Sequence, residues 1–76
     1  MINIEECSKQ HKVGDKIIDR NGNKVIASIG KGGDSVCEGC VYEGGVYKKD
    51  ATCSPILNRY NNRGCYQEPA LIYKWL

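Results

Sequence analysis

Cysteine is the most unusual component of this 76-residue sequence, with five residues, and four of these follow a spacing that suits a metal ion. Cys37 and Cys40 form a CxxC motif with Gly39 between them, and Cys53 and Cys65 complete the pattern C-x2-C-x12-C-x11-C. Four thiolates bind Zn²⁺ as a tetrahedron and leave no open position for a substrate. The sequence therefore predicts a single structural zinc ion held by these four cysteines.

Other states of the cysteines stay open at this point. A secreted mini-domain would pair them in disulfides, whereas thiols of the reducing cytosol more often bind metal. A redox-active CxxC normally lies at a helix N-terminus that lowers the thiol pKa, but glycine-rich sequence surrounds Cys37 and Cys40. Cys7 and His11 are four residues apart and could serve as zinc ligands in place of the predicted cysteines. A half-buried cysteine and a solvated histidine are the simpler interpretation.

The remaining polar residues indicate no catalytic constellation. The chain has one histidine, no neighbouring nucleophile and base, and nine acidic residues without a convergent spacing. A chain this short also has too little core to enclose a deep pocket. We therefore predict that the protein is not an enzyme.

Composition and charge indicate a small core that needs additional stabilisation. Hydrophobic residues make up 41% of the chain, phenylalanine is absent, and charged residues make up 26%. A core of this size supplies only about 3–5 kcal/mol, so a metal would add needed stability. Four thiolates and Zn²⁺ would bring the formal charge of +2 close to zero, which weakens non-specific binding to nucleic acid.

A β-hairpin is the clearest local structure. Apolar β-branched residues lie on both sides of Asn21 and Gly22, and Asn-Gly tolerates the positive φ angles of a two-residue type I′ turn. The predicted strands are Asp15–Arg20 and Asn23–Ser28.

The same turn predicts the register of the hairpin. With a two-residue loop, Asp19 lies opposite Lys24 and Ile18 lies opposite Val25. An ion pair would then lie beside an apolar pair, and each pair would add a few tenths of a kcal/mol to the stability of the sheet.

Two further elements are predicted after the cysteine motif. Ser54 as N-cap and Pro55 at the first helical position favour one or two helical turns, with Ile56 and Tyr60 on one face. The aromatic and β-branched run Leu71–Leu76 predicts a strand that packs on the hairpin.

These elements predict one domain over residues 1–76, with residues 1–12 of uncertain order. Its fold class is a small, metal-stabilised β-rich domain, in which an antiparallel hairpin and a C-terminal strand accompany a four-cysteine zinc knuckle and one short helical turn. Glu5 and Glu6 lie where a signal peptide needs basic residues, and no apolar run is long enough to span a membrane. We therefore expect a cytoplasmic protein that does not bind a membrane.

Basic and aromatic residues alternate around the cysteines, which indicates a binding surface. Aromatic and arginine side chains supply most of the energy of protein interfaces. The residues predicted to contact a protein partner are Tyr42, Tyr47, Tyr60, Tyr66, Arg59 and Arg63. The alternative is a nucleic-acid-binding zinc module. Its predicted phosphate contacts are Lys48, Lys49, Arg59 and Arg63.

Three short motifs carry a resemblance to a known group of proteins. Gly14-Asp15-Lys16 begins the first hairpin, Cys37-Glu38-Gly39-Cys40-Val41-Tyr42 follows, and Ile72-Tyr73-Lys74 lies in the last strand. In these motifs the chain resembles small cysteine-rich proteins of bacteriophages and prophages. The resemblance implies a four-cysteine metal site on a small sheet and no enzymatic activity. It further implies a protein that binds and modulates a host protein, as an inhibitor or an anti-defence factor, in the bacterial cytoplasm.

Overall fold

A four-stranded mixed sheet connects the two ends of the chain. The computed structural model describes residues 1–31, 38–42, 53–60 and 64–76. The strands are β1 (Ile2–Asn3), β2 (Lys16–Ile18), β3 (Lys24–Ile29) and β4 (Leu71–Trp75), in the order β1-β2-β3-β4. β1 runs parallel to β2, and the other neighbours are antiparallel. The predicted hairpin and terminal strand are confirmed, and β1 adds a parallel pair to them.

The predicted register of the hairpin is wrong by one residue. Ile18 lies opposite Lys24, and Ile17 lies opposite Val25, whereas the sequence predicted Asp19 opposite Lys24. A shift of one residue exchanges the two faces of a strand. As a result Ile17 is fully buried in the core, and Ile18 is only half-buried on the other face.

Asp19 causes this shift because its side chain organises a longer loop. The Asp19 amide donates to the Asn23 carbonyl at 2.9 Å, and the Gly22 amide donates to the Asp19 carbonyl at 3.0 Å. Asp19 Oδ1 also accepts hydrogen bonds from the amides of Asn21 and Asn23, both at 2.9 Å. Gly22 has a φ of 84°, which is the left-handed conformation that ends a three-residue hairpin loop.

The core lies on one face of the sheet, beneath two 3-10 turns. The first turn, Ile4–Glu6, follows β1 directly and buries Ile4. The second, Ser54–Ile56, buries Ile56. The buried cluster consists of Ile4, Cys7, Ile17, Val25, Ala27, Tyr42, Ile56, Leu71 and Tyr73.

The segment at 53–60 is less helical than its sequence predicted. It forms a single 3-10 turn, Ser54–Ile56, with Cys53 rather than the serine at the N-cap position. The backbone is already extended at Leu57, so the face predicted for Ile56 and Tyr60 does not form. Ile56 is 1% exposed, and Tyr60 is 64% exposed.

We expect Gly22→Ala to lower the free energy of unfolding by about 1 kcal/mol, because an L-residue with a side chain disfavours a positive φ. An added Cβ at Gly22 meets no atom within 4 Å, so steric overlap contributes nothing. Urea unfolding measures the change. Gly22→Asn is the matched control, since asparagine tolerates this conformation, and equal losses for both variants would contradict the loop geometry.

Candidate functional site

The turn that contains Cys40 lies against the outer edge of β4. The Val41 amide donates to the Tyr73 carbonyl at 2.8 Å, and the Tyr73 amide donates to Cys40 Sγ at 3.5 Å. The amide and the carbonyl of Tyr73 both point away from β3, and the turn supplies a hydrogen-bond partner for each of them. The sulfur therefore accepts a hydrogen bond from the backbone, which stabilises negative charge on it.

The same turn wraps around β4 and contacts both faces of the sheet. Gly39 has a φ of 84°. A Cβ there would lie 3.3 Å from Ile72 Cδ1, on the face of the sheet that points away from the core. Tyr42 enters the core, where its ring meets that of Tyr73 edge-on at a centroid distance of 6.1 Å. The Tyr42 hydroxyl donates to Asp19 Oδ2 at 2.7 Å. Burial, and then the hydrogen bond to Asp19, raise the pKa of Tyr42.

The described cysteines lie on or beside the core. Cys40 and Cys53 are partly buried and pack against the core cluster, and Cys65 is half-buried in the 3-10 turn Gly64–Tyr66. Burial raises the pKa of Tyr73, and the next contributions come from Cys40, Cys65 and Cys7 in that order.

The predicted zinc ligands are only partly placed by the structure. Cys37 lies outside the described residues. Within the described ranges, no three histidine, cysteine or acidic side chains form a group that could hold a metal ion. The four-cysteine site therefore stays a prediction: Cys40 and Cys53 pack against the core cluster, and the described cysteines do not come together as a metal-binding group.

The residues predicted to contact a partner differ in their exposure. Tyr42 is 8% exposed and bonded to Asp19, so it is a core residue, which corrects its predicted place on a surface. Tyr60 is 64% exposed, and Arg59 beside it is also exposed. The other predicted contacts fall outside the described part of the chain: Tyr47, Lys48, Lys49, Arg63 and the side chain of Tyr66.

His11 is buried, in contrast to the solvated histidine that the sequence suggested. It is 3% exposed, and its Nδ1 lies 2.8 Å from the Tyr73 hydroxyl. Gln67 holds its backbone from both sides: the His11 amide donates to Gln67 Oε1 at 3.3 Å, and Gln67 Nε2 donates to the His11 carbonyl at 2.8 Å. The other ring nitrogen, Nε2, is buried without a hydrogen-bond partner in the described structure.

The surroundings of His11 favour its neutral form. Burial lowers the pKa of His11, and the charge of Asp15 opposes this only in part. Space around the Tyr73 hydroxyl is also limited, because a Cβ at Gly64 would overlap it. Cys7, the other residue considered as a replacement ligand, is buried, and its thiol donates to the Lys9 carbonyl at 3.0 Å.

No local signal in the sequence could have identified the pair formed by His11 and Tyr73. The two residues are 62 positions apart. Alternation along β4 does place Tyr73 opposite Ala27 on the core side, which indicates a buried hydroxyl in need of a partner. That partner had to come from another part of the chain.

We expect the free energy of unfolding to fall as the pH is lowered from 7.5 to 5.5. Below about 6.5 the unfolded chain takes up a proton at His11 before the folded chain does, so protonation favours unfolding. The slope should approach about 1.4 kcal/mol per pH unit at most. Urea unfolding across this range measures it. His11→Gln should have a shallower slope, and equal slopes would show that other groups cause the dependence.

No helix in the described part of the chain is long and apolar enough to cross a membrane. The chain matches no protein-family model, and neither a curated protein nor a solved structure shows significant similarity to it. Its function must therefore be inferred from its own residues and their geometry.

Proposed function

We propose that this protein is a non-catalytic zinc-binding module that binds a protein partner. Its resemblance to small phage proteins supports a host protein as the partner, in the bacterial cytoplasm, whose activity the module inhibits or redirects. The exposed pair of Arg59 and Tyr60, on a backbone that several hydrogen bonds fix, is the observation that carries the proposal.

The metal part of the proposal rests on the cysteine spacing and on the environment of Cys40. Backbone amides that donate to cysteine sulfur stabilise the thiolate that zinc requires, and the Tyr73 amide is placed in this way. Cys53 packs on the same core, and Cys65 is half-buried in the 3-10 turn Gly64–Tyr66. With Cys37, these residues would supply a soft four-sulfur shell.

Zinc in such a shell would have a structural role. It would connect the turn at β4 to the segments around Cys53 and Cys65, which no strand of the described ranges links directly. Structural zinc contributes about 10–16 kcal/mol of apparent binding energy, which exceeds the stability expected for a chain of this size. Removing the metal should therefore unfold the domain.

The partner surface is centred on Arg59 and Tyr60. The Arg59 amide donates to the Cys7 carbonyl at 3.0 Å, and the Tyr60 amide donates to Asn58 Oδ1 at 3.0 Å. The Asn58 side chain in turn donates to the Lys9 carbonyl at 3.0 Å. An aromatic and an arginine side chain on a fixed backbone lose little entropy on binding, as anchor residues require.

We expect freshly purified protein to contain one zinc ion per chain, as measured by elemental analysis, and a chelator to abolish its near-UV circular dichroism. Cys53→Ser should lower zinc affinity at least about 100-fold, since it removes a ligand. Cys7→Ser is the matched control and should keep the metal, because the serine hydroxyl can also donate to the Lys9 carbonyl. Metal-free protein, or two disulfides found by mass spectrometry, would contradict the zinc site.

We expect tagged protein to recover one stoichiometric protein from a nuclease-treated bacterial lysate. Arg59→Ala combined with Tyr60→Ala should reduce recovery more than tenfold, because both anchors are lost. The matched control combines Lys12→Ala with Val13→Ala, which also removes one cation and one exposed apolar side chain. Val13 is 54% exposed.

The salt dependence of binding separates the two candidate partners. An interface built on tyrosine should change little between 50 and 300 mM salt. Nucleic acid held by about four cations should instead bind with a log–log salt slope near −3 or −4. If nuclease removes all bound material and the slope is steep, the nucleic-acid module is the better account.

A further inference from the structure

The outer face of the sheet, opposite the core, carries lysines around isoleucines. Lys16 on β2 lies opposite Ile26 on β3, and Ile26 lies opposite Lys74 on β4. Lys24 precedes Ile26 by two residues and lies opposite Ile18. Since side chains alternate along a strand and partners share a face, all five belong to the outer face.

These lysines are close enough to act on one ligand. Neighbouring strands lie about 4.8 Å apart, so the Cα atoms of Lys16 and Lys74 are about 10 Å apart across β3. Lys24 lies diagonally between them, about 7–8 Å from Lys16. All three lysines are exposed, and Ile18 and Ile26 are half-buried among them.

The two carboxylates that flank β2 accept hydrogen bonds within the molecule and form no ion pair with these lysines. Asp15 Oδ2 accepts the Lys12 amide at 2.8 Å, and Asp19 is 3% exposed and bonded within its own loop. Among the described residues, the only ion pair joins Lys31 to Glu38, so Lys16, Lys24 and Lys74 have no acidic partner there. Within the described strands, the outer positions therefore carry three lysines and no carboxylate.

We propose that the outer face is a docking surface for an acidic polypeptide segment in which carboxylates flank one or two apolar side chains. The carboxylates would contact Lys16, Lys24 and Lys74, and the apolar side chains would cover Ile18 and Ile26. Complementary charge would select the segment, and apolar contact would retain it. The proposal uses neither Arg59 nor Tyr60, so it does not depend on their role.

The composition of the face favours a polypeptide over nucleic acid. Single-stranded nucleic acid gains much of its binding energy from bases stacked on aromatic rings, and the outer positions of the four strands carry none. The aromatic residues of β4, Tyr73 and Trp75, lie opposite Ala27 and Val25 on the core side. Isoleucine between lysines instead matches a chain that alternates apolar and acidic residues.

A labelled peptide, Glu-Leu-Glu-Gly-Glu-Leu-Glu, tests the proposal by fluorescence anisotropy at 50 mM salt with the intact protein. The variant Lys16→Gln with Lys74→Gln should bind it about fivefold more weakly, or worse, given the usual value of exposed ion pairs. The matched control, Lys9→Gln with Lys12→Gln, removes the same charge from exposed lysines outside the strands and should stay within twofold of wild type.

Two comparison ligands make the outcome decisive. The same peptide with serine in place of leucine should bind more weakly, because it cannot cover the isoleucines. A seven-nucleotide oligothymidylate should bind more weakly than the leucine peptide. Tighter binding of the oligonucleotide would overturn the proposal in favour of nucleic acid. The proposal would also be overturned if the leucine peptide showed no measurable binding, or if both double variants lost the same affinity. The lysines would then be ordinary solvated side chains.

Discussion

The buried hydroxyl of Tyr73 is the constraint on which the rest of the structure depends. A phenol without a hydrogen-bond partner in a core costs several kcal/mol, so another part of the chain must supply one. His11 does so at 2.8 Å, and its backbone is held in turn by Gln67. The peptide group of the same tyrosine binds Cys40 and Val41. A single residue thus connects the N-terminal segment, the terminal strand and the turn with the predicted zinc ligand.

Asp19 links the hairpin to that same turn. Its carboxylate accepts two amides of its own loop and the Tyr42 hydroxyl, so the loop conformation and the position of Tyr42 are coupled. In the described part of the chain, Asp19 forms no ion pair with the outer lysines.

Local features could be predicted from the sequence, and features that depend on distant side chains could not. Asn21 and Gly22 with their β-branched neighbours were sufficient to predict the hairpin, since its strands are adjacent in the chain. The register depends on the Asp19 side chain, which accepts the Asn21 amide as in an Asx turn and favours a three-residue loop over the two-residue Asn-Gly turn. Pro55 correctly indicated a helical start, but the backbone is extended at Leu57, so only one turn forms. The burial of His11 depends on a tyrosine 62 residues away, so no spacing rule could reveal it.

The edges of the sheet have a consequence for how the protein behaves at high concentration. An uncovered strand edge is a template for another chain, and long flat edges promote amyloid-like aggregation. Here one edge strand, β1, is only two residues long. In the other, β4, the Tyr73 amide and carbonyl are already hydrogen-bonded to Cys40 and Val41. The turn that carries a predicted metal ligand therefore also shields the longer edge, and a chain that loses this turn would expose a strand ready to pair with its neighbours.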